Sequence, residues 1–213
     1  MKVDEMELEK ISELVIELEI DDIAEAVQEI LDEGKDPYDV LAALTKGMDE
    51  VGRRYEAMEY YLAELVLAGE TMKEAFKVLK PAMASADKPQ KERKVIVATV
   101  KGDNHDIGKN LLATLLMSSG FDVIDLGMDV GAKIVVEKVK ETGAEIVCLS
   151  SLLTMTVHEI TNVHEALKEA GLRDKVKLVV GGAPLNKELA NKLGADNFAE
   201  DAVAGVRLIK QIV

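Results

Sequence analysis

The sequence predicts an α/β protein in which a small bundle of helices precedes a parallel sheet with helices on both faces. Two observations support this prediction. Apolar residues recur at helical spacing as far as Pro81, and from residue 94 short β-branched segments alternate with amphipathic helices. At 213 residues and 48% hydrophobic composition, the chain is long enough for two modest domains, each with a buried core.

Four amphipathic helices are predicted in the N-terminal part. Gly34 is placed to end the second helix, and Asp36 followed by Pro37 is typical of the N-cap and first position of the third. Short connections between such helices predict a small antiparallel bundle. The apolar faces comprise, in order, Leu8, Ile11, Val15 and Leu18; Ile23, Val27, Ile30 and Leu31; Val40, Leu44, Met48, Val51 and Tyr55; and Leu62, Leu65, Met72, Phe76 and Leu79.

A polar segment follows the fourth helix. Ala84–Arg93 (ASADKPQKER) contains Pro89 and shows no apolar period, which is typical of a linker. We therefore expect a helical domain over residues 1–83, a linker over residues 84–93 and a second domain over residues 94–213.

Five short segments of the second domain are predicted as strands. They are Lys94–Val100, Val123–Leu126, Glu145–Leu149, Lys177–Val180 and Asn197–Ala199. The predicted helices lie around Asn110–Ser118, Lys133–Thr142, His158–Ala170, Lys187–Leu193 and from Asp201 to the end. This alternation predicts a parallel sheet, and five strands favour the flavodoxin-like, Rossmann-like strand order. Ligands of such sheets bind at the carboxyl ends of the strands.

Composition argues against several functions. The 26 Lys and Arg against 40 Asp and Glu leave a net charge of −14, which repels nucleic acid and anionic lipid. Aromatic residues make up 3% with no Trp, so few side chains could stack on bases. Cys148 is the single cysteine and is interpreted as a core residue. An acidic start, and no apolar stretch of the ~20 residues that a membrane span requires, predict a cytoplasmic protein.

The loop after the first predicted strand has an unusual composition. His105 lies between Asp103 and Asp106 in this loop. Five residues separate Gly102 from Gly108, whereas a P-loop has four at this place, and the dinucleotide-binding glycine pattern is also absent. The loop is therefore either a polar turn whose aspartates cap the next helix or a binding site of another kind.

Two further strand ends carry small or hydroxylated residues. Ser150–Thr156 (SSLLTMT) follows the third strand, and Gly181 and Gly182 follow the fourth. Each segment alone could be a helix cap or an ordinary turn. Together they leave room at three neighbouring strand ends for a large flat or elongated ligand.

These residues form a recognisable pattern. Asp103-x-His105-x-x-Gly108, then 41 residues, then Ser150-x-Leu152, then 28 residues, then Gly181-Gly182 resembles the cobalamin-binding signature. That signature occurs in corrinoid proteins, cobalamin-dependent methionine synthase and the cobalamin-dependent mutases.

The helical part extends the resemblance over nearly the whole chain. Gly47–Pro81, with Glu59-Tyr60-Tyr61-Leu62 at a helix junction, is similar to the helical bundle cap that precedes the cobalamin-binding domain in methyl-transferring members. The chain most resembles the small corrinoid proteins that serve methylamine, methanol, betaine or methoxy-aromatic methyltransferases.

The resemblance implies a role for each residue of the pattern. His105 would be the lower axial ligand of the cobalt of cobalamin or a related corrinoid, Asp103 would accept a hydrogen bond from its other ring nitrogen, and a hydroxyl, most plausibly that of Thr156, would complete the relay. The family often has Ser at the position of Thr156. The cofactor-binding residues implied in addition are Ser150, Leu152 and Thr154 along a slot for the displaced nucleotide tail, and Gly108, Gly181 and Gly182, which give the tail clearance.

The implied function is methyl carriage. The cobalt takes a methyl group from a substrate held by a substrate-specific methyltransferase, and an acceptor methyltransferase passes it to coenzyme M or tetrahydrofolate. A reductive activator protein is the third implied partner. The chain would have no complete active site of its own, and its helical bundle would cover the cofactor and move aside on the linker.

Three alternatives and, after Thr156, a second departure from the family pattern accompany this resemblance. A detached mutase subunit and a cobalamin-binding sensor would share the cofactor. A receiver-like signalling domain would share the sheet, but it needs an aspartate at the end of the third strand, where Ser150 stands. Gly131 occupies a position where the family pattern leads us to expect Pro, which predicts a looser loop.

Overall fold

The chain divides into two compact units. One comprises Met1–Lys91 with Ser118–Gly120, and the other comprises Glu92–Met117 with Phe121–Val213. The structure, a computed structural model, describes residues 2–85 and 93–212. Within those residues, no helix combines the length and apolar composition that crossing a membrane requires.

The first unit is the predicted set of four helices. Their bounds are α1 Lys2–Ile16, α2 Ile20–Asp32, α3 Pro37–Glu56 and α4 Leu62–Ser85. Gly34 follows α2 with a left-handed φ of +88°, and the carboxylate of Asp36 caps α3 by accepting a hydrogen bond from the Tyr38 amide at 3.0 Å. α1 packs mainly on α3, and α2 on α4.

The apolar faces of these helices form the core of the unit. Leu62 is an exception, because it begins α4 and its side chain is 54% exposed. The predicted core residues that are buried include Ile11, Val15, Ile23, Val27, Ile30, Val40, Leu44, Met48, Val51, Leu65, Met72 and Leu79.

Helix α4 extends into the segment that was predicted as a linker. The helix continues through Ser85, so the first two residues of the segment 84–93 are helical. Residues 86–92 lie outside the described part of the chain. The proposed boundaries of the linker therefore stay a prediction.

The second unit is the predicted five-stranded parallel sheet. Its strands are β1 Lys94–Thr99, β2 Asp122–Asp125, β3 Ile146–Ser150, β4 Lys177–Gly181 and β5 Asn197–Ala199, in the spatial order β2-β1-β3-β4-β5. This order confirms the flavodoxin-like prediction. The helices of this unit are α5 Ile107–Ser118, α6 Ala132–Thr142, α7 Glu159–Glu169, α8 Lys187–Lys192 and α9 Ala202–Ile212.

Residues that pair across neighbouring strands form rows, and the side chains of successive rows point to opposite faces of the sheet. Ala98, Leu149 and Val180 pair across β1, β3 and β4 and join a buried apolar cluster with residues of α6 and α7. The preceding row is Val97, Cys148 and Val179, and it points to the opposite face because side chains alternate along a strand.

The loop that contains Gly131 is anchored on the sheet. The Asp129 carboxylate accepts a hydrogen bond from the Gly102 amide at 2.7 Å, and Val130 pairs with Val100 in a parallel bridge. Gly131 then caps α6 with φ −77° and ψ 154°, angles that proline also adopts. With glycine at position 131, the loop is still held by the contacts of Asp129 and Val130 before it and by α6 after it.

We expect Gly131→Pro to stabilise the protein. The native φ suits proline, the preceding Val130 is in an extended bridge, and the nearest atom to an added Cβ is 3.9 Å away. Fewer unfolded conformations should raise the free energy of unfolding by about 0.4–1 kcal/mol, measured by urea denaturation. Gly143→Pro is the control, because its φ of +69° excludes proline and should make that variant less stable. Equal effects of the two substitutions would contradict this account.

Candidate functional site

The connection between β1 and α5 places His105 at the carboxyl end of the sheet. Thr99 at the end of β1 donates its hydroxyl to the carbonyl oxygen of His105 at 2.9 Å. The Asp103 amide donates to the Val100 carbonyl oxygen at 3.1 Å, and Gly102 makes this turn possible with a φ of +80°. The loop is thus tied back to the strand that it leaves.

The His105 ring is oriented by a buried carboxylate. Nδ1 of His105 lies 2.7 Å from Oδ1 of Asp103, and the Asp103 side chain is fully buried while that of His105 is 50% exposed. Because an ionised carboxylate only accepts hydrogen bonds, Nδ1 carries a proton, and in the neutral ring the lone pair is then on Nε2. The half-exposed ring of His105 can therefore offer one nitrogen ligand.

The second oxygen of Asp103 is held by the loop after β3. Oδ2 accepts hydrogen bonds from the amides of Leu152 at 2.7 Å and Leu153 at 3.1 Å, and from the Thr156 hydroxyl at 2.9 Å. Burial raises the pKa of Asp103, but the bonds from His105 and the two amides outweigh it, so the net pKa lies well below the usual range. Asp103 is an anion whenever the protein is folded near neutral pH.

The structure brings together the three residues of the predicted relay and adds a fourth. Ser151 is fully buried, and its hydroxyl oxygen lies 2.9 Å from that of Thr156. Sequence reasoning gave Ser151 no role and assigned the adjacent Ser150 to the slot for the nucleotide tail. The only available signal was strand alternation, which places consecutive side chains on opposite faces but does not say which face meets Asp103.

An apolar cavity of about 380 Å³ opens beside His105. Val97, Cys148 and Val179 line it from the sheet, and Leu112 lines it from α5. Thr154 is exposed and does not line it. The predicted site residues that do line it are His105, Gly108, Ser150, Leu152, Gly181 and Gly182.

The glycines of the pattern have different reasons to be glycine. No atom of the protein lies within 4 Å of a Cβ added to Gly108, whereas a Cβ on Gly182 would lie 1.9 Å from the carbonyl oxygen of Ser151. Gly182 also has a φ of +135°. The fold itself therefore requires Gly182, while Gly108 leaves space in the cavity that a bound molecule can occupy.

Cys148 is both a core residue, as predicted, and part of the cavity wall. Its side chain is 3% exposed. Burial raises the pKa of its thiol to about 12, so the sulfur is uncharged at neutral pH. The sheet side of the cavity is therefore apolar.

Several large apolar side chains near the carboxyl ends of the strands are exposed. They come from the loops that follow β2 and β3 and from the first residue of α5, and two of them, Ile107 and Leu152, line the cavity. Sequence reasoning had selected Leu152 alone among them, because apolar residues in loops carry no periodic signal. These exposed residues are Ile107, Met128, Leu152, Leu153 and Met155.

This donor set fits the cofactor that the pattern implies. A single imidazole is enough to bind a metal whose other ligands are supplied by a planar macrocycle. An apolar surface can pack against the flat face of such a ring. The space beside Gly108 is a cradle that a Cβ would partly fill. Within residues 2–85 and 93–212, no group of three or more His, Cys, Asp or Glu side chains could hold a metal ion by itself.

Comparisons with known proteins agree with this geometry. Residues 93–207 match the model of the B12 binding domain, and residues 7–80 match a second model that is also described as a B12 binding domain. Trimethylamine corrinoid protein 1 of Methanosarcina acetivorans is 40% identical over 195 residues, which cover 89% of each chain. The dimethylamine corrinoid protein of Methanosarcina barkeri is 36% identical over 206 residues, which cover 97% of each chain.

Two solved structures resemble the whole chain. A cobalamin-binding protein from Desulfitobacterium hafniense is 38% identical with a TM-score of 0.78, over 97% of this chain and 98% of that one. The methanol:cobalamin methyltransferase complex of Methanosarcina barkeri contains a chain that is 29% identical with a TM-score of 0.82, over 95% of this chain and 77% of that one. The family matches, these relatives and the geometry around His105 together show that the chain belongs to the B12-binding family, among its corrinoid proteins.

Proposed function

We propose that this protein binds cobalamin or a related corrinoid and carries a methyl group on the cobalt between two methyltransferases. The first removes the group from its substrate, and the second passes it to coenzyme M or tetrahydrofolate. The observation that carries the proposal is the half-exposed His105, whose Nδ1 is bound by the buried Asp103 at 2.7 Å. The names of relatives with 36–40% identity support methyl carriage over the other uses of a corrinoid.

The relay sets how strongly His105 binds. Nε2 of His105 would hold the cobalt, and Asp103 would increase the electron donation of the ring by accepting a hydrogen bond from Nδ1. Thr156 and the two amides keep the carboxylate in place. When bound, the cobalt of the corrinoid supplies the nucleophile that takes up the methyl group and the centre that later releases it.

The remaining predicted residues bind other parts of the cofactor. The cavity is too small for a macrocycle and receives the nucleotide tail, with Gly108, Gly181 and Gly182 beside it and the Ser150 hydroxyl as a hydrogen-bond partner. Thr154, which lies on the exposed loop after β3, would bind the tail from outside the cavity.

The partners supply the rest of the chemistry. A substrate-specific methyltransferase holds the methyl donor, an acceptor methyltransferase receives the group, and a reductive activator protein returns the cobalt to its reactive state. Donor specificity therefore belongs to the first partner. The net charge of −14 is consistent with protein partners in the cytoplasm and with binding to neither nucleic acid nor membranes.

The helical unit is the second part of the proposal. Residues 1–83 cover the cofactor, and residues 84–93 act as the linker on which they move aside. The match of residues 7–80 to a B12-binding model supports this role. Met58, Tyr61 and Leu62 are exposed apolar residues at the junction of α3 and α4, in the segment that resembles the cap.

We expect the apoprotein to retain about one corrinoid per chain after incubation with hydroxocobalamin and desalting. The visible bands should shift on binding and should not shift in His105→Ala, because no imidazole then reaches the cobalt. Asp103→Asn should weaken binding by about 10- to 100-fold. His158→Ala is the matched control, since His158 is exposed and lies outside the site. A wild-type protein that retains no corrinoid would overturn the proposal.

Methyl carriage is tested with a labelled donor. The reduced, corrinoid-loaded protein is incubated with radiolabelled trimethylamine or dimethylamine and the methyltransferase specific for that amine. We expect label to remain with the wild-type protein and to fall at least about tenfold with His105→Ala, because that variant lacks the axial ligand. Radiolabelled methanol with its own methyltransferase is the parallel assay. Failure to take up label from any methyl donor would favour the mutase-subunit alternative.

The position of the tail is tested through the single thiol. Cys148 lines the cavity and its thiol pKa is about 12, so a small maleimide should label the apoprotein slowly and about tenfold faster per pH unit between pH 7 and 9. Loading with hydroxocobalamin should slow labelling by about tenfold or more, as measured by mass spectrometry. Unchanged labelling of a protein that keeps its corrinoid would place the tail elsewhere. Labelling in denaturant checks that the thiol is intact.

A further inference from the structure

Ser151 ends a buried chain of hydrogen bonds that begins at His105. Its side chain is fully buried, and its amide donates to the Gly181 carbonyl oxygen at 3.1 Å, which fixes the backbone at the end of β3. Its hydroxyl oxygen lies 2.9 Å from Oγ1 of Thr156 and 3.5 Å from the carbonyl oxygen of Leu153. Thr156 is therefore its closer partner.

The number of protons determines the direction of these bonds. All five contacts of the Asp103 carboxylate come from donors, so this group accepts. Thr156 has one hydroxyl proton and two acceptors at 2.9 Å, Asp103 and the Leu153 carbonyl oxygen, of which the charged one is stronger. Once that proton lies on Asp103, Ser151 must be the donor in the bond between the two hydroxyls.

We propose that Ser151 is a positioning residue for the cobalt ligand. By donating to Thr156, it holds the Thr156 hydroxyl on Asp103 and so keeps the carboxylate aligned with the ring of His105. This inference rests on the proposed function, in which His105 binds cobalt. Neither the cobalamin-binding pattern of the sequence nor the cavity lining includes Ser151.

Loss of the Ser151 hydroxyl weakens this alignment. The bond from Thr156 to Asp103 loses the reinforcement that one hydrogen bond gives to the next, about 10–30% per bond. The Thr156 oxygen also loses the donor that helps to fix its position. The carboxylate is held less firmly on its Oδ2 side, and the imidazole is less well oriented toward the cobalt.

The test measures the fraction of cobalt that carries the histidine. Protein labelled with 15N-histidine is loaded with hydroxocobalamin, reduced to the Co(II) state and examined by electron paramagnetic resonance at pH 7. The 15N splitting distinguishes His105 from the 14N base of the cofactor. We expect Ser151→Ala to raise the ratio of unligated to His105-ligated cobalt by about 3- to 10-fold, less than the loss of a direct partner of the ligand causes.

A double-mutant cycle shows whether Ser151 acts through Thr156. Thr156→Val keeps the shape of the side chain and removes its hydroxyl, so Ser151→Ala should cause no further change in that background. Ser151→Cys keeps a weak donor of similar size and should give an intermediate ratio. It also serves as the test variant if Ser151→Ala fails to fold.

The controls separate this inference from general damage and from the proposed function. Ser12→Ala removes another buried serine hydroxyl, from the helical unit, and should leave the ratio unchanged. An unchanged ratio in Ser151→Ala, or an equal change with and without the Thr156 hydroxyl, would refute the role of Ser151. A wild-type spectrum without 15N splitting would instead refute ligation by His105 and with it the proposed function.

Discussion

Five hydrogen bonds converge on the buried carboxylate of Asp103, and most of the site depends on them. An ionised group that is fully removed from water is stable only when its oxygens are saturated with donors, and here two loops provide them. The bonds join the loop after β1 to the loop after β3 and orient the ring of His105. A ligand side chain that the protein itself holds in place reduces the entropy lost when a cofactor binds.

The strand order explains why these loops meet. β1 and β3 are neighbours in the sheet, so their carboxyl ends lie side by side although Asp103 and Thr156 are 53 residues apart. β4 is the next strand, and Gly182 at its end passes so close to Ser151 that only a hydrogen fits between them. The three segments of the sequence pattern are therefore the ends of three adjacent strands. A parallel sheet places its binding groups there as a rule.

The fold class and the strand order could be predicted from the sequence, because the period of apolar residues is a local signal. The relay of His105, Asp103 and Thr156 was implied only by the resemblance to cobalamin-binding proteins, and the structure joins these three side chains by hydrogen bonds. The role of Ser151 could not be predicted, because the choice between two adjacent serines depends on which side of a strand end faces Asp103. The exposed Met128 and Met155 were missed for a similar reason, since they lie in loops without a period.

A substitution of Gly108 should affect cofactor binding without affecting the stability of the folded protein, whereas a substitution of Gly182 should affect stability as well. Since nothing within 4 Å of Gly108 limits its side chain and its backbone is ordinary, an alanine there leaves the folded protein intact. Any harm would appear only when a cofactor has to enter. Selection for protein abundance or heat resistance does not act on a substitution that leaves the stability of the folded protein unchanged. A glycine that persists there across descendants of this chain is evidence that the lineage still uses the cofactor, and its replacement by larger residues marks lineages that have abandoned it.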